Sequence, residues 1–397
     1  MNDLPARFLA NLAPCQNLGV AVSGGGDSMA LLYLAVACGL NPAVVTVNHG
    51  LRPEAAAEAA QVAAVAGDLG LSHTTLRWEN WDHLGNLQDH ARKARRRLIA
   101  AWAQENNIAT VALGHTQNDV AETFLMRLQR GAGVDGLAAM SGHWSEGGIL
   151  WQRPLLGFAR KDLRLWLQTQ GKTWVEDPSN DNPRFERVRA RASLARLHPL
   201  GLTADRLAQV AAHLAEARAA LDVLADQWAI QTLREEAGTV LITPALWNAP
   251  AETQRRLLQR VLLWIAPADY APRGTQLGQL QLRLSEGQAA TLAGVRFTQG
   301  REGLRALREV KATAPRCRTD QIWDGRWQVA GDPPQGAELG ALDSTGLAQC
   351  PDWRSTGLPR AALLASPAVW LGNRLIAAPL AGFQAGSIRA LPLHPLL

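Results

Sequence analysis

GVAVSGGGDSMALLYLAV, Gly19–Val36, decides how the first half of this chain folds. A short apolar run leads into Gly24, Gly25 and Gly26, framed by Ser23, Asp27 and Ser28, and an apolar helical pattern follows. Glycines let a backbone approach phosphate closely, and a helix starting near Ser28 adds its positive end. A Walker loop would add a lysine near the terminal phosphate. None is present here, and Asp27 would repel phosphate unless a divalent cation lay between them. Magnesium, an oxygen-seeking ion that bridges carboxylate and phosphates, fits that gap. The pattern therefore points to attack at the innermost phosphorus, with pyrophosphate leaving intact on the loop.

Around this loop the chain alternates two textures up to about Leu200. LGVAV (Leu18–Val22), AVVTV (Ala43–Val47), HTTLRW (His73–Trp78) and ATVAL (Ala109–Leu113) read as short buried strands. Helical stretches such as Pro53–Leu69 and Leu87–Gln104 separate them. The rhythm predicts an α/β fold with a doubly wound, mostly parallel, Rossmann-like sheet, in which ligands bind at the carboxyl ends of strands. From Leu202 to Gln231 runs one long amphipathic pattern. We expect a catalytic domain over 1–200, a mainly helical domain over 201–311, a hinge at Ala312–Pro315, and a small mixed or β domain over 312–397.

The chain has 397 residues, and 47% of them are apolar, enough for true cores. No apolar run reaches membrane-spanning length and the N-terminus lacks a signal pattern, so the expected location is cytoplasmic, with no membrane partner. Cys15, Cys38, Cys317 and Cys350 lie far apart. That spacing argues against a zinc ribbon, a cluster held by closely spaced thiolates or a redox dithiol. The net charge of +5 is compatible with an acidic polymer as partner. Lysine occurs only at Lys93, Lys161, Lys172 and Lys311, so arginine supplies most of the positive charge. The fourteen tryptophans read as core residues before base-stacking platforms.

SGGGDS resembles the PP-loop of the N-type ATP pyrophosphatases. VNHGLR (Val47–Arg52), GHTQNDVAETFLMRLQRGAGVDGLAAM (Gly114–Met140), RPLL (Arg153–Leu156) and WVEDPSNDN (Trp174–Asn182) resemble, more narrowly, the tRNA(Ile)-lysidine synthases. ERVRARASLARL (Glu186–Leu197) is similar to the arginine-rich segment of that family, and the likeness is dense over the first 200 residues. It implies a ligase that uses ATP, with Mg2+, to adenylate the base carbonyl of the wobble cytidine in a tRNA(Ile) with a CAU anticodon. The amine of free L-lysine then displaces AMP. A second copy of the chain, as a homodimer, stands as a further partner.

His115, Asp119 and Glu122 are spaced i, i+4 and i+7, one face of a helix at the mouth of Ala109–Leu113. Carboxylates beside a histidine can hold magnesium and take protons from an attacking ammonium group. The resemblance assigns these three to catalysis together with Asp27, and Asp27 and Asp119 to the metal. The family shows two adjacent acids where this chain has Asn118–Asp119. His49 and Arg52 follow the second strand and join the loop residues as the ATP site, although a strand-to-helix turn with Pro53 at N1 explains the same pattern. Arg130, Gly131 and Gly133 form a second glycine turn suited to phosphate. Asp177, Ser179 and Asn180 either read the lysine or cap the next helix. Arg92, Arg95 and Arg96, with Arg184, Arg187, Arg189, Arg191 and Arg196, either contact tRNA or line a solvated face. Two rival readings stand: an ammonia-using adenylating ligase of the same loop class, and a catalytically silent binder of RNA or nucleotide. Arg316, Arg318, Arg326 and Arg354 suit a tail that grips tRNA away from the anticodon.

Overall fold

The computed structural model describes residues 3–50, 54–78, 87–176, 182, 184–383 and 387–396. The chain divides into two compact units, Met1–Arg218 and Ala219–Leu397.

In the first unit the order is α1 (Leu4–Asn11), β1 (Leu18–Ala21), α2 (Gly26–Ala37), β2 (Ala43–Asn48), α3 (Ala55–Asp68), β3 (His73–Arg77), α4 (Leu87–Glu105) and β4 (Thr110–Leu113). There follow α5 (Gln117–Gln129), α6 (Val134–Leu137), β5 (His143–Glu146), β6 (Ile149–Gln152), α7 (Arg160–Thr169) and α8 (Glu186–Leu197). The six strands form one sheet in the order β3-β2-β1-β4-β6-β5, parallel except for the β5–β6 hairpin. Helices cover both faces. One apolar core gathers α2 with Leu155, Phe158 and Leu163, and the opposite one gathers Ile99, Trp102 and Trp151. α2 is central because it is apolar nearly all round, with Met29–Leu32, Leu34 and Ala35 all buried. Strand order reverses between β1 and β4, the switch point where such sheets bind ligands.

The long pattern expected from Leu202 forms α9 (Ala204–Thr232). The second unit continues with β7 (Leu233–Glu236), β8 (Thr239–Ile242), α10 (Ala251–Ile265), α11 (Gly274–Ser285), β9 (Ala290–Leu292), β10 (Val295–Gln299) and β11 (Leu304–Arg308). These strands form an antiparallel sheet, β7-β8-β11-β10-β9, beside the core of α10 and α11. Six later strands, β12 (Cys317–Arg318), β13 (Trp327–Ala330), β14 (Glu338–Ala341), β15 (Pro367–Leu371), β16 (Arg374–Ala377) and β17 (Arg389–Pro392), make a four-stranded antiparallel sheet and a β13–β17 pair. The stretch expected as a hinge is tied down. Arg308 donates to both carboxylate oxygens of Asp324 (2.8 and 2.9 Å) and to Ala312 O, and Asp324 accepts the Ala314 amide at 3.0 Å. Arg326 is 7% exposed, donates to Ile265 O (3.1 Å) and Gly238 O (2.7 Å), and lies over Trp264 and Trp327. Its expected place on a tRNA-facing surface is therefore corrected: burial commits it to the fold. Trp151, Trp323 and Trp370 are fully buried.

Candidate active site

Register brings the site together. Ala21 on β1 stands opposite Val45 on β2 and Leu113 on β4, so the loops after β1 and β4 leave the sheet side by side. Gly114 makes the approach possible. A Cβ there would sit 3.0 Å from Ser28 Cα and 3.1 Å from Asp27 O. Within the glycine loop, Gly24 has φ +85°, a conformation that disfavours a side chain. Ser28 Oγ accepts from Ser23 N (3.1 Å), donates to Gly25 O (2.9 Å), and lies 3.2 Å from Ser23 Oγ. Both serines thus brace the loop that leads into α2. From the far end of the domain, Val175 N donates to Gly24 O at 2.9 Å, and Trp174 packs beside Gly26.

On the β4 side Thr116 opens α5. Its N–H and hydroxyl both donate to Asp119 Oδ2, at 2.8 and 2.9 Å. Asp119 therefore caps its own helix with one oxygen and turns the other toward the cavity. There a single arginine gathers three carboxylates. Arg160, at the start of α7, reaches Asp27 Oδ2 at 2.8 Å, Glu122 Oε1 at 3.0 Å and Asp119 Oδ1 at 3.4 Å. Its backbone N–H donates to Asn118 Oδ1 at 2.9 Å, so this side-chain amide anchors the arginine. From α8, Arg191 reaches Glu122 at 3.0 Å and Arg187 reaches Asp119 at 3.8 Å. Two carboxylate oxygens, Asp27 Oδ1 and Glu122 Oε2, are buried without a hydrogen bond among the described residues.

A cavity of about 780 Å³ opens over this cluster, lined also by His49, Arg95, His115, Arg164 and Phe185. Burial raises the Asp27 carboxyl above its usual range although Arg160 pulls the other way. For Asp119 burial is outweighed by Arg160, His115 and the Thr116 amide, and its pKa is lowered. Burial also opposes the charge on Arg160, but its three carboxylates prevail and its pKa is raised. His49 falls to about 4 through burial and the Arg95 charge, and it meets Trp78 edge-on at 5.7 Å. Burial, then Arg92, Arg187 and Arg96, bring Arg95 down to about 10.

The structure thus gathers Ser23 to Ser28, His49, Arg95, His115, Asp119, Glu122, Arg187 and Arg191 at one site. Arg130 pairs with Glu186, and neither it nor Gly131 and Gly133 lines the cavity. Arg96 is bound to Glu146 at 3.0 Å, and neither it nor Arg92 lines the cavity. Arg52, Asp177, Ser179 and Asn180 lie outside the described residues. Among the described residues no three His, Cys, Asp or Glu side chains form a metal-holding group. Arg160 is the residue that sequence reasoning missed. One signal was present: Arg160 and Lys161 occupy the first turn of α7, where the helix dipole disfavours cations.

A switch-point cavity with a lysine-free glycine loop, facing carboxylates gathered on an arginine, defines a nucleotide-binding PP-loop enzyme. Residues 4–198 match the PP-loop domain family of that description. Over 396 residues the chain is 47% identical to a tRNA(Ile)-lysidine synthase of Ruegeria pomeroyi, covering 97% of this chain and 93% of that one. A second tRNA(Ile)-lysidine synthase, from Novosphingobium aromaticivorans, is 40% identical over 312 residues, 75% of this chain and 91% of that one. Among solved structures a U34-tRNA thiolase of Methanococcus maripaludis, with its [4Fe-4S] cluster, has a TM-score of 0.47 at 17% identity, over 54% of this chain and 79% of that chain. The chain belongs to the tRNA(Ile)-lysidine synthase family, and it is an ATP-using ligase.

Proposed function

We propose that this cavity joins free lysine to the wobble cytidine of a tRNA(Ile) with a CAU anticodon, in two steps at one place. The observation that carries the reading is the convergence of Asp27, Asp119 and Glu122 on Arg160 directly beside the glycine loop. In the first step the base carbonyl oxygen attacks the α-phosphorus of ATP, and pyrophosphate leaves. In the second, the neutral lysine amine attacks the activated carbon, and AMP leaves with the oxygen. The loop backbone and the start of α2 hold phosphate. Arg160 stabilises charge where the phosphoryl group develops it. Glu122 Oε2, on a residue 1% exposed and itself without a hydrogen bond among the described residues, takes the proton that lysine must lose before it attacks.

The orphaned Asp27 Oδ1 fits Mg2+, which binds through one or two carboxylates together with substrate phosphates. The ion would neutralise and orient the triphosphate. Asp119 is less suited to share it, since Oδ2 is committed to Thr116 and Oδ1 faces Arg160 and Arg187. Arg95, Arg187 and Arg191 offer cations at the mouth for the tRNA backbone. Residues 201–311 and 312–397 serve as tRNA-contacting parts in this reading, and its substrates place the reaction in the cytoplasm.

A catalytically silent binder gains little from two buried carboxylates and a half-buried one beside a phosphate loop, and an ammonia-using ligase needs no tRNA. The test is incubation with labelled lysine, ATP, Mg2+ and a panel of tRNA transcripts, followed by nucleoside analysis. Lysine-bearing cytidine in the CAU isoleucine transcript alone is expected. AMP release from ammonia without tRNA would overturn the reading.

A further inference from the structure

His115 is held on one side by a group that can only donate. Arg153 Nε–H lies 3.0 Å from His115 Nδ1, and a guanidinium has no lone pair to offer, so Nδ1 is the acceptor. Arg153 itself is clamped. Its Nη1 donates to Ser141 O at 2.7 Å, and its guanidinium lies 3.9 Å over the Trp144 ring. Trp144 stacks on the buried Trp151 with an interplanar angle of 12°, and its Nε1–H donates to Glu146 at 3.0 Å. Glu146 also holds Arg96. The β5–β6 hairpin thus aims one N–H at one ring nitrogen. Across the ring, His115 lines the cavity, and its Nε2 has no hydrogen bond among the described residues.

We propose that Arg153 is a positioning residue that fixes His115 as the neutral Nε2–H tautomer. His115 thereby presents a hydrogen-bond donor, not a proton acceptor, to an oxygen that gains negative charge during reaction. Which ring nitrogen carries the proton is set by the bond that the other one makes. The charged groups facing the ring agree: burial, with Arg153, Arg95 and Arg187, lowers its pKa against the pull of Asp119. His115 keeps its proton through both steps, and proton acceptance falls to Glu122. The oxygen is either a phosphoryl oxygen of ATP or the base carbonyl oxygen. The role rests on the ligation reading of this cavity, whereas the tautomer does not.

Two measurements test it. Nitrogen-15 spectra of the full chain labelled at histidine, with His115 assigned by His115→Gln, should show the neutral Nε2–H form from pH 8 to pH 5. A wild-type Nδ1–H form, or an imidazolium above pH 6, overturns the proposal whatever the enzyme does. In the kinetic arm, His115→Gln keeps an N–H near the Nε2 position and should retain kcat within about tenfold, while His115→Ala loses on the order of 10²–10³. Equal loss in both overturns the donor role. Arg153→Met should lower kcat about tenfold with little change in KM, and should cost no more than about twofold in the His115→Gln background, where no tautomer exists. Equal cost in both backgrounds makes Arg153 merely structural and overturns its positioning role. Pyrophosphate release without lysine, against lysine transfer to preformed adenylate, tells which oxygen receives the bond. Absence of lysine transfer by the wild-type chain would sink the ligation reading and leave the tautomer to the spectra.

Discussion

Replacing Arg160 with Met keeps the aliphatic stem and removes the cation that gathers three carboxylates. The side chain is 15% exposed, and its guanidinium reaches Asp27, Glu122 and Asp119 at 2.8, 3.0 and 3.4 Å. Removing one partner of a buried pair costs about 3–5 kcal/mol. The lower end applies here. Glu122 keeps Arg191 and Asp119 keeps Arg187, whereas Asp27 loses the partner of Oδ2 while Oδ1 already has none. Asp27 is therefore left half-buried, charged and without a counter-ion, and its pKa, already raised by burial, rises further. A carboxyl raised in the folded state binds protons more readily there than in the unfolded chain, so the variant loses stability as pH rises through that value. The difference from wild type should be about 3 kcal/mol at pH 8 and shrink toward pH 4, the ordinary carboxyl range. Because the chain has two units, amide hydrogen exchange in α2 and α5 is the readout that isolates the first. Exchange there should quicken roughly a hundredfold at pH 8, since each 1.4 kcal/mol is about tenfold. A second change, Asp27→Asn, should recover part of the loss. An acceleration under about fivefold, or one equal at pH 5 and pH 8, would refute the view that Arg160 is the counter-ion of this cluster.

Asp27→Asn alone should abolish AMP formation and leave tRNA affinity nearly unchanged; turnover at the wild-type rate removes Asp27 from the phosphate site. Replacing Arg92, Arg95 and Arg96 together should flatten the log–log salt dependence of tRNA binding by about two units, at roughly 0.7–0.9 per phosphate contact, and an unchanged slope assigns the run to a solvated face. His49, depressed to about 4 by burial, contributes stability that is fully present above the ordinary histidine pKa and lost as pH falls toward 4. His49→Gln should flatten stability between about pH 6.5 and pH 4.5 by about 1–2 kcal/mol after solvent screening, and superimposable curves would count against it. Reversing the exposed Arg318 and Arg354 to Glu should weaken tRNA binding and the preference over a methionine tRNA while sparing ATP binding, and unchanged affinity and preference would speak against the tail as a tRNA grip. Truncation after Glu309 is a poor substitute, because Leu396 and Arg326 belong to the packing around α10.

The loop, four parallel strands and the Asp119–Glu122 face of α5 were legible because each is a local signal, a period, a glycine run or a spacing, whereas His115, expected on that same face, lies in the loop ahead of α5. The Arg160 cluster is not local. Arg160 and Asp27 are 133 residues apart, and only the strand order and the β1–β4 register place them together. In the sheet of residues 233–308 the pair ATLAGVRFTQG (Ala290–Gly300) and GLRALREV (Gly303–Val310) reads as strand-like from sequence, whereas β7 and β8 do not. Its turns at Ala237–Gly238 and Ala293–Gly294 carry positive φ at both positions, and the usual marker of such hairpins is Asn or Asp before glycine. The arginine-rich run of α8 could be read as a solvated face because charge alone says nothing of partners; two of its members in fact face the carboxylates.

A glycine loop without lysine needs a cation from elsewhere, and the fold delivers it from other helices. Arg160 comes from α7, Arg187 and Arg191 from α8, and together they balance Asp27, Asp119 and Glu122 charge for charge. A lysine fixed in the loop would be a point charge aimed at one phosphate. Arginines shared among carboxylates can exchange partners as a polyanion enters, because a planar guanidinium matches carboxylate and phosphate alike. Such a balanced cluster admits a phosphate group in one step and an ammonium group in the next without holding a large net charge in either. Asn118 fits that logic. Its oxygen caps the Arg160 amide as a carboxylate would, but it adds no fourth negative charge to three arginines that already have three.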